Sequence, residues 1–238
     1  MPDVLLSIKN VEKTYAPSET TPVAALNGVT LDVFRGEFLA ITGSSGSGKS
    51  TLLNLIGLLD APSQGTMTLD TQDIHNLDES EKALFRLKTI SFVFQFFNLI
   101  DNFTALENIS FQLELQGQTK AAAKKKALET LEYVQLANKA NLYPSNLSGG
   151  EQQRVAIGRA LAKDSLIILA DEPTAHLDSK NAEIVMNLLR EINTKFNRTI
   201  VLVTHEPHQA EQADRQVILR DGQVAEIRTH SQNTKDAL

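Results

Sequence analysis

The sequence predicts an α/β protein, and three patterns carry that prediction. The continuous apolar run Phe38-Leu39-Ala40-Ile41 leads into Gly43-Ser44-Ser45-Gly46-Ser47-Gly48-Lys49-Ser50-Thr51 and then into Leu52-Leu53-Asn54-Leu55-Ile56, a strand turning into a helix. A second run, Leu166-Ile167-Ile168-Leu169-Ala170, reads as a central strand buried on both faces. Between them, from about residue 96 to 161, apolar positions recur three and four apart, the helical period.

Taken in order, segments 5–15, 23–34 and 37–42 alternate or cluster apolar residues as strands, with Arg35-Gly36 as a turn. The glycine-serine stretch follows, in the strand-to-helix context that marks a phosphate loop. Gly43, Gly46 and Gly48 let backbone N–H groups converge on an anion, and the helix dipole adds positive charge there. Lys49 is placed to reach β- and γ-phosphates, Ser50 to offer its hydroxyl to Mg²⁺, and Thr51 to touch the α-phosphate.

Phe92 and Phe94 alternate with Val93 and Gln95, which predicts a buried strand with both rings in the core. Phe96 and Phe97 fall after it. Segments 105–115 and 121–136 carry helical spacing, and Lys124-Lys125-Lys126 reads as a solvated helix face. Leu147-Ser148-Gly149-Gly150-Glu151 opens a further helix over 152–161, so Ser148, Gly149 and Gly150 make a second anion-binding helix N-terminus.

The strand at 166–170 delivers Asp171 and Glu172 at its carboxyl end, the edge at which open α/β sheets bind ligands. Asp171 is placed to hold Mg²⁺ through water, and Glu172 to act as general base on an attacking water. Another apolar strand, 199–204, ends at His205.

Composition sets bounds. The chain has 238 residues, enough for one large domain with a sizeable insertion, and a net charge of −6, which argues against a nucleic-acid footprint. It has no cysteine, hence no disulfide framework or thiol chemistry. No apolar run approaches the roughly 18 residues that span a bilayer, and Met1-Pro2-Asp3-Val4 lacks a basic start. The expectation is a cytoplasmic chain, attached to a membrane only through a partner. The polar tail 229–238 is expected to be frayed.

Together the series Tyr15, the phosphate loop, Gln95, Leu147 to Glu151 with Gln152-Gln153-Arg154, Asp171-Glu172, Leu177-Asp178 and His205 resembles the nucleotide-binding subunit of an ATP-binding cassette (ABC) transporter over about residues 8–228. The resemblance implies a P-loop ABC ATPase fold with a mixed β-sheet core, an antiparallel β layer and an inserted α-helical subdomain. It makes 1–238 one ABC ATPase domain: a RecA-like core with the β layer at about 1–95 and 164–228, and a helical subdomain at about 96–163.

Its implied cofactors are ATP and Mg²⁺. Tyr15 would stack on adenine, Gln95 would join the Mg²⁺ and water network, and His205 would touch the γ-phosphate. Two copies would pair head to tail, with Ser148 and Gly150 of one capping the γ-phosphate held by Lys49 of the other and Asp178 crossing the same interface. An integral membrane permease would contact the region around Gln95 to Phe97, where Phe97 is either partner-facing or core. ATP hydrolysis would drive that partner.

The chain is most similar to the group of lipoprotein-release, macrolide-export and cell-division ATPases, through Asn54-Leu55-Ile56-Gly57-Leu58-Leu59-Asp60, Phe94-Gln95-Phe96-Phe97-Asn98-Leu99 and Asp171-Glu172-Pro173-Thr174. Two positions depart from the family pattern. Ala175-His176 stands where Gly-Asn or Ala-Asn is usual, and Gly158 replaces an alanine, a change expected to loosen its helix by up to about 1 kcal/mol.

Two other readings are a soluble ABC ATPase acting on nucleic acid or ribosomes and a nucleotide-gated scaffold. The first lacks its usual second cassette, zinc fingers or coiled-coil insertion; the second is opposed by intact Lys49, Asp171, Glu172 and His205.

Overall fold

A computed structural model describes residues 3–16 and 22–230. In chain order the first elements are β1 (Val4–Tyr15), β2 (Val23–Phe34), β3 (Phe38–Gly43), α1 (Lys49–Ile56), β4 (Gln64–Leu69), β5 (Gln72–Asp73), α2 (Glu79–Thr89), β6 (Ile90–Val93), α3 (Ala105–Leu115) and α4 (Lys120–Tyr133). Then come α5 (Gly149–Ala162), β7 (Ile167–Asp171), α6 (Ser179–Phe196), β8 (Thr199–Val203), α7 (Pro207–Ala210), β9 (Arg215–Arg220) and β10 (Gln223–Thr229). The chain divides into two compact units: Met1–Glu79 with Thr199–Leu238, and Ser80–Arg198.

In the first unit, β2-β1-β4-β5 form an antiparallel sheet. Leu6 and Ile8 of β1 are buried while Lys9 is exposed, the period-2 pattern of a sheet with one covered face. A register shift between Ile8 and Val11 coincides with Asn10 at φ 49°, a bulge that bends the long strand. A second sheet in this unit runs β10-β9-β3-β8, with β3 parallel to β8 and β9 and with β9 and β10 antiparallel. Phe38, Leu39, Ala40 and Ile41 are wholly buried, which explains the continuous rather than alternating apolar run.

In the second unit, β6 and β7 pair in parallel, Ile90 with Ile167 and Val93 with Ala170, so their carboxyl ends lie at one edge. Phe92 and Phe94 correct the sequence expectation. The strand stops at Val93; Ser91 and Val93 take the buried positions, and Phe92 and Phe94 are half-buried, stacked on each other at 5.1 Å. A strand's two faces alternate, so a phase error of one residue exchanges core and surface.

Helix α3 opens with a capping box, in which Glu107 N donates to Thr104 Oγ1 at 3.2 Å and Thr104 N to Glu107 Oε2 at 2.8 Å. Helix α4 is shorter than the expected 121–136, because Val134 caps it and Gln135 turns left-handed at φ 61°. Lys124 and Lys125 are exposed, as expected of a solvated face.

The Gly158 departure has a packing reason: a Cβ there would lie 3.1 Å from Ile109 Cδ1 on α3 and 3.3 Å from Thr130 Cγ2 on α4. Glycine lets α5 lie close to both helices, offsetting its poor helix propensity. Among the described residues no helix is long and apolar enough to cross a membrane. Of the expected polar tail, Thr229 ends β10 and His230 N donates to Asp214 O at 2.9 Å; residues 231–238 lie outside the described residues.

Candidate functional site

The first unit builds a phosphate cradle between β3 and α1. Gly43 has φ 150°, and a Cβ there would meet Leu219 O at 2.3 Å; Gly48 has φ 101°, and a Cβ would meet Ala25 O at 2.6 Å. Only glycine fits both places. Ser44, Ser45 and Gly46 are exposed at the loop's crest. Lys49 is buried, its ammonium donating to Gly43 O at 2.9 Å and Ser44 O at 2.8 Å. The first turn of α1 holds no acidic side chain, so nothing there opposes an anion at the helix N-terminus. Ser47 Oγ is buried without a hydrogen-bond partner, a polar group inside the loop that the protein itself leaves unsatisfied. Ser50, on that first turn, is exposed.

His205 reaches the same edge of the same sheet. It lies two residues beyond the last residue of β8, whose Val203 pairs with Ile41 of β3, and Thr204 N donates to Ile41 O at 3.2 Å. Thr204 Oγ1 accepts from Glu206 N at 3.1 Å and donates to Gln209 Oε1 at 3.0 Å, fixing the turn that carries the imidazole. His205 Nε2 lies 3.1 Å from Glu206 Oε1. Tyr15, at the end of β1, presents a ring that is 39% exposed and donates its hydroxyl to Asp60 Oδ2 at 2.8 Å.

The second unit assembles the other candidates. Asp171 is the last residue of β7, and Gln95 follows β6 at the same carboxyl edge. Glu172 takes the left-handed conformation, φ 43°, and its carbonyl accepts from Ala175 N at 3.2 Å, so the chain turns sharply as the carboxylate leaves the sheet. Gln153, fully buried in α5, donates to Pro173 O at 2.6 Å and Phe94 O at 3.2 Å, tying that turn to the segment before Gln95. Gln95 Nε2 lies 3.1 Å from His176 Nε2, and the His176 ring packs on Phe96 at 4.7 Å.

Ser148 is the N-cap of α5, donating its N–H to Glu151 Oε2 at 3.0 Å. The Lys139 ammonium, 2.5 Å away, and the Ser148 amide hold the Glu151 carboxyl below its ordinary range. A Cβ on Gly150 would lie 2.3 Å from Asn181 Oδ1. Asn181 in turn donates its Nδ2 to Asp178 Oδ2 at 2.7 Å and its backbone N–H to Asp178 Oδ1 at 2.9 Å, which lowers the Asp178 pKa. The Ser148 to Gly150 segment and Asp178 therefore meet through Asn181.

Of the two phenylalanines after Gln95, Phe96 is 70% exposed, whereas Phe97 is half-buried, with its ring against Gly149. Sequence patterns assign no individual role to Lys13, Asp60, Gln153, Arg159 or Asn181, because each works through a partner distant along the chain.

The donor set fits a nucleotide with Mg²⁺: a backbone cradle, a buried ammonium and a serine hydroxyl on the first turn. Among the described residues no group of three or more His, Asp or Glu side chains could hold a metal ion.

The family model for ABC transporters matches residues 26–175. The chain is 42% identical to the lipoprotein-releasing system ATP-binding protein LolD of Shewanella sp. (strain MR-4), covering 98% of this chain and 100% of LolD. The dimeric post-hydrolysis state of the ATP-binding cassette MJ0796, a Methanocaldococcus jannaschii protein, bound to ADP and Pi, superposes with a TM-score of 0.88 at 44% identity, covering 95% of this chain and 99% of that one. CbiO1 of Clostridium perfringens, part of the ABC transporter complex CbiONQ, gives 0.85 at 26% identity over 95% and 89%.

Proposed function

We propose, from the premise that this chain belongs to the ABC transporter family, a division of labour among its site residues and a mechanical partner for its ATPase. The chain is an ATP-binding ATPase subunit that works as a cassette dimer with a membrane partner. The observation that carries the mechanism is the glycine cradle between β3 and α1, with Lys49 buried in it.

Gly43 to Thr51 hold the phosphate chain, Lys49 neutralising its outer phosphates, while the exposed face of Tyr15 takes the adenine. Ser50, Asp171 and Gln95 would hold Mg²⁺, which would supply positive charge to offset the negative charge that develops in phosphoryl transfer. Glu172 takes the proton of the attacking water, and His205 donates to the terminal phosphate. Ser148, Gly149, Gly150 and Asp178 act on the nucleotide held by the second copy. The partner subunit docks around Gln95 to Phe97, where Phe96 is the ring offered outward.

We place the chain at the cytoplasmic face of the membrane, peripheral and held there by its partner. The resemblance to LolD supports a role of the lipoprotein-releasing, mechanical type. The division into a core at about 1–95 and 164–228 and a helical lobe at about 96–163 belongs to the same proposal.

Glu172→Gln tests it. A base beyond the terminal phosphate contributes little to affinity, so the variant should bind ATP normally, lose turnover by roughly 10²–10⁴ and run as a dimer in ATP. Near-normal turnover in the purified variant would refute the assignment.

A further inference from the structure

Tyr15 is the only proposed nucleotide contact that lies on a long strand of the antiparallel sheet, away from the phosphate loop in sequence, and its ring is built in from behind. Its hydroxyl donates to Asp60 Oδ2 at 2.8 Å and also meets the Thr51 side chain, on the helix that begins in the phosphate loop. The Lys13 ammonium lies 4.8 Å from the ring centroid, over one face. The same ammonium bonds Asp60 Oδ1 at 2.6 Å and Ala61 O at 2.8 Å. Ala61 N closes the group by donating to Asp60 Oδ1 at 2.7 Å. The Lys13 side chain is only 13% exposed, whereas Tyr15 is 39% exposed and so keeps part of its surface open to a ligand.

We propose that Asp60 and Lys13 are positioning residues that fix the Tyr15 ring at one height and tilt above the phosphate loop, and so set how well the base of the nucleotide is recognised. The inference rests on the reading of Tyr15 as the adenine platform. Restraints at two places, the hydroxyl held by Asp60 and Thr51 and the ring face met by Lys13, remove the ring rotations that a free tyrosine would lose on stacking. The cation behind the ring is attracted to its negative face, a contact strengthened by Asp60 fixing the ammonium in place. Burial and the neighbouring Asp60 carboxylate push the Tyr15 hydroxyl above its ordinary pKa, keeping it a donor. Burial pushes Asp60 up, but the bonds from Lys13, Tyr15 and Ala61 outweigh it and hold the carboxyl below its ordinary value, ionised as acceptor for all three.

The test compares ligands that share a phosphate chain and differ in the base. Equilibrium binding of ATP and of inorganic tripolyphosphate, each with Mg²⁺, is measured for the wild type, Tyr15→Ala, Tyr15→Phe, Asp60→Ala and Asp60→Asn. Asp60→Ala should weaken ATP several-fold, up to about tenfold, the range of a stacking contact, and leave tripolyphosphate unchanged. Tyr15→Phe, which keeps the ring and loses the tether, should show the same selective loss in smaller measure. Asp60→Asn, which keeps an acceptor, should recover part of it. Unchanged ATP affinity in Asp60→Ala beside a clear loss in Tyr15→Ala would overturn the positioning role and spare the platform. Equal losses for both ligands would make Asp60 a support of the phosphate loop and equally overturn it. An unaffected Tyr15→Ala would remove the platform and the proposal together.

Discussion

Glu172 leaves β7 at φ 43°, in a region that side chains with a Cβ occupy at a cost of about 1–3 kcal/mol. The flanking turn, with Gln153 clamped on Pro173 O, holds it there. Glutamine carries the same backbone penalty and glycine does not. Glu172→Gly should therefore abolish hydrolysis and raise the melting temperature by about 2–4 °C, the equivalent of about 1 kcal/mol for a chain of this size, whereas Glu172→Gln should melt like the wild type. Thermal melting of the three proteins decides it; a lower melting temperature for Glu172→Gly would mean that the side chain's own contacts outweigh the strain. At this scale the sequence was most readable where a motif follows a strand: Asp171 closes β7, His205 lies two residues beyond β8, and Lys49 opens the helix that follows β3, as their apolar runs imply. Phe96 and Phe97 were not separable, because Phe97 is left-handed, φ 53°, which turns its ring inward against the outward Phe96, and no spacing rule anticipates a positive φ at phenylalanine.

Helix α5 gathers much of the second unit's candidate machinery. Ser148 caps it, Gln153 holds the Pro173 turn, and Arg159 donates Nη1 to Asn98 O at 2.7 Å and Nη2 to Phe97 O at 3.2 Å. Two successive left-handed residues, Phe97 and Asn98, are thus held by one guanidinium fork. At its N-terminus Glu151 is ionised below its ordinary value of 4.5 by Lys139 and the Ser148 amide. A lowered carboxylate pKa means stability that is complete above the ordinary value and lost as pH falls through the folded one. Glu151→Gln keeps an acceptor for Ser148 but not the charge, so melting temperature should fall less steeply with acid below pH 4.5 than in the wild type. Superimposable acid limbs would remove the Glu151 ion pair from the account of this helix. The existence of α3, α4 and α5 was legible from their apolar period. The early end of α4 and the phase of β6 were not, since a left-handed Gln135 and a half-buried stacked pair follow from tertiary packing.

At the scale of the whole molecule the proposal gives one chain two anion sites, the phosphate cradle and the Ser148 to Gly150 helix N-terminus, and has the enzyme use each with its opposite number on a second copy. The two spaced glycine motifs, each before a helix, are readable in the sequence; the packing of Gly150 against Asn181, whose side chain would have to shift to admit a Cβ there, emerged only from the fold. The central claim is that Ser148 acts in trans. Its most direct test is ATP hydrolysis by an equimolar mixture of Ser148→Arg and Lys49→Ala chains, each inactive alone. Random pairing leaves about a quarter of the wild-type number of composite sites intact, all in mixed dimers, so activity should reappear on mixing. Ser148→Arg monomers should meanwhile bind ATP as the wild type does. A mixture that stays inactive, together with folded Ser148→Arg monomers that no longer bind ATP, would contradict the account by placing Ser148 at its own chain's nucleotide.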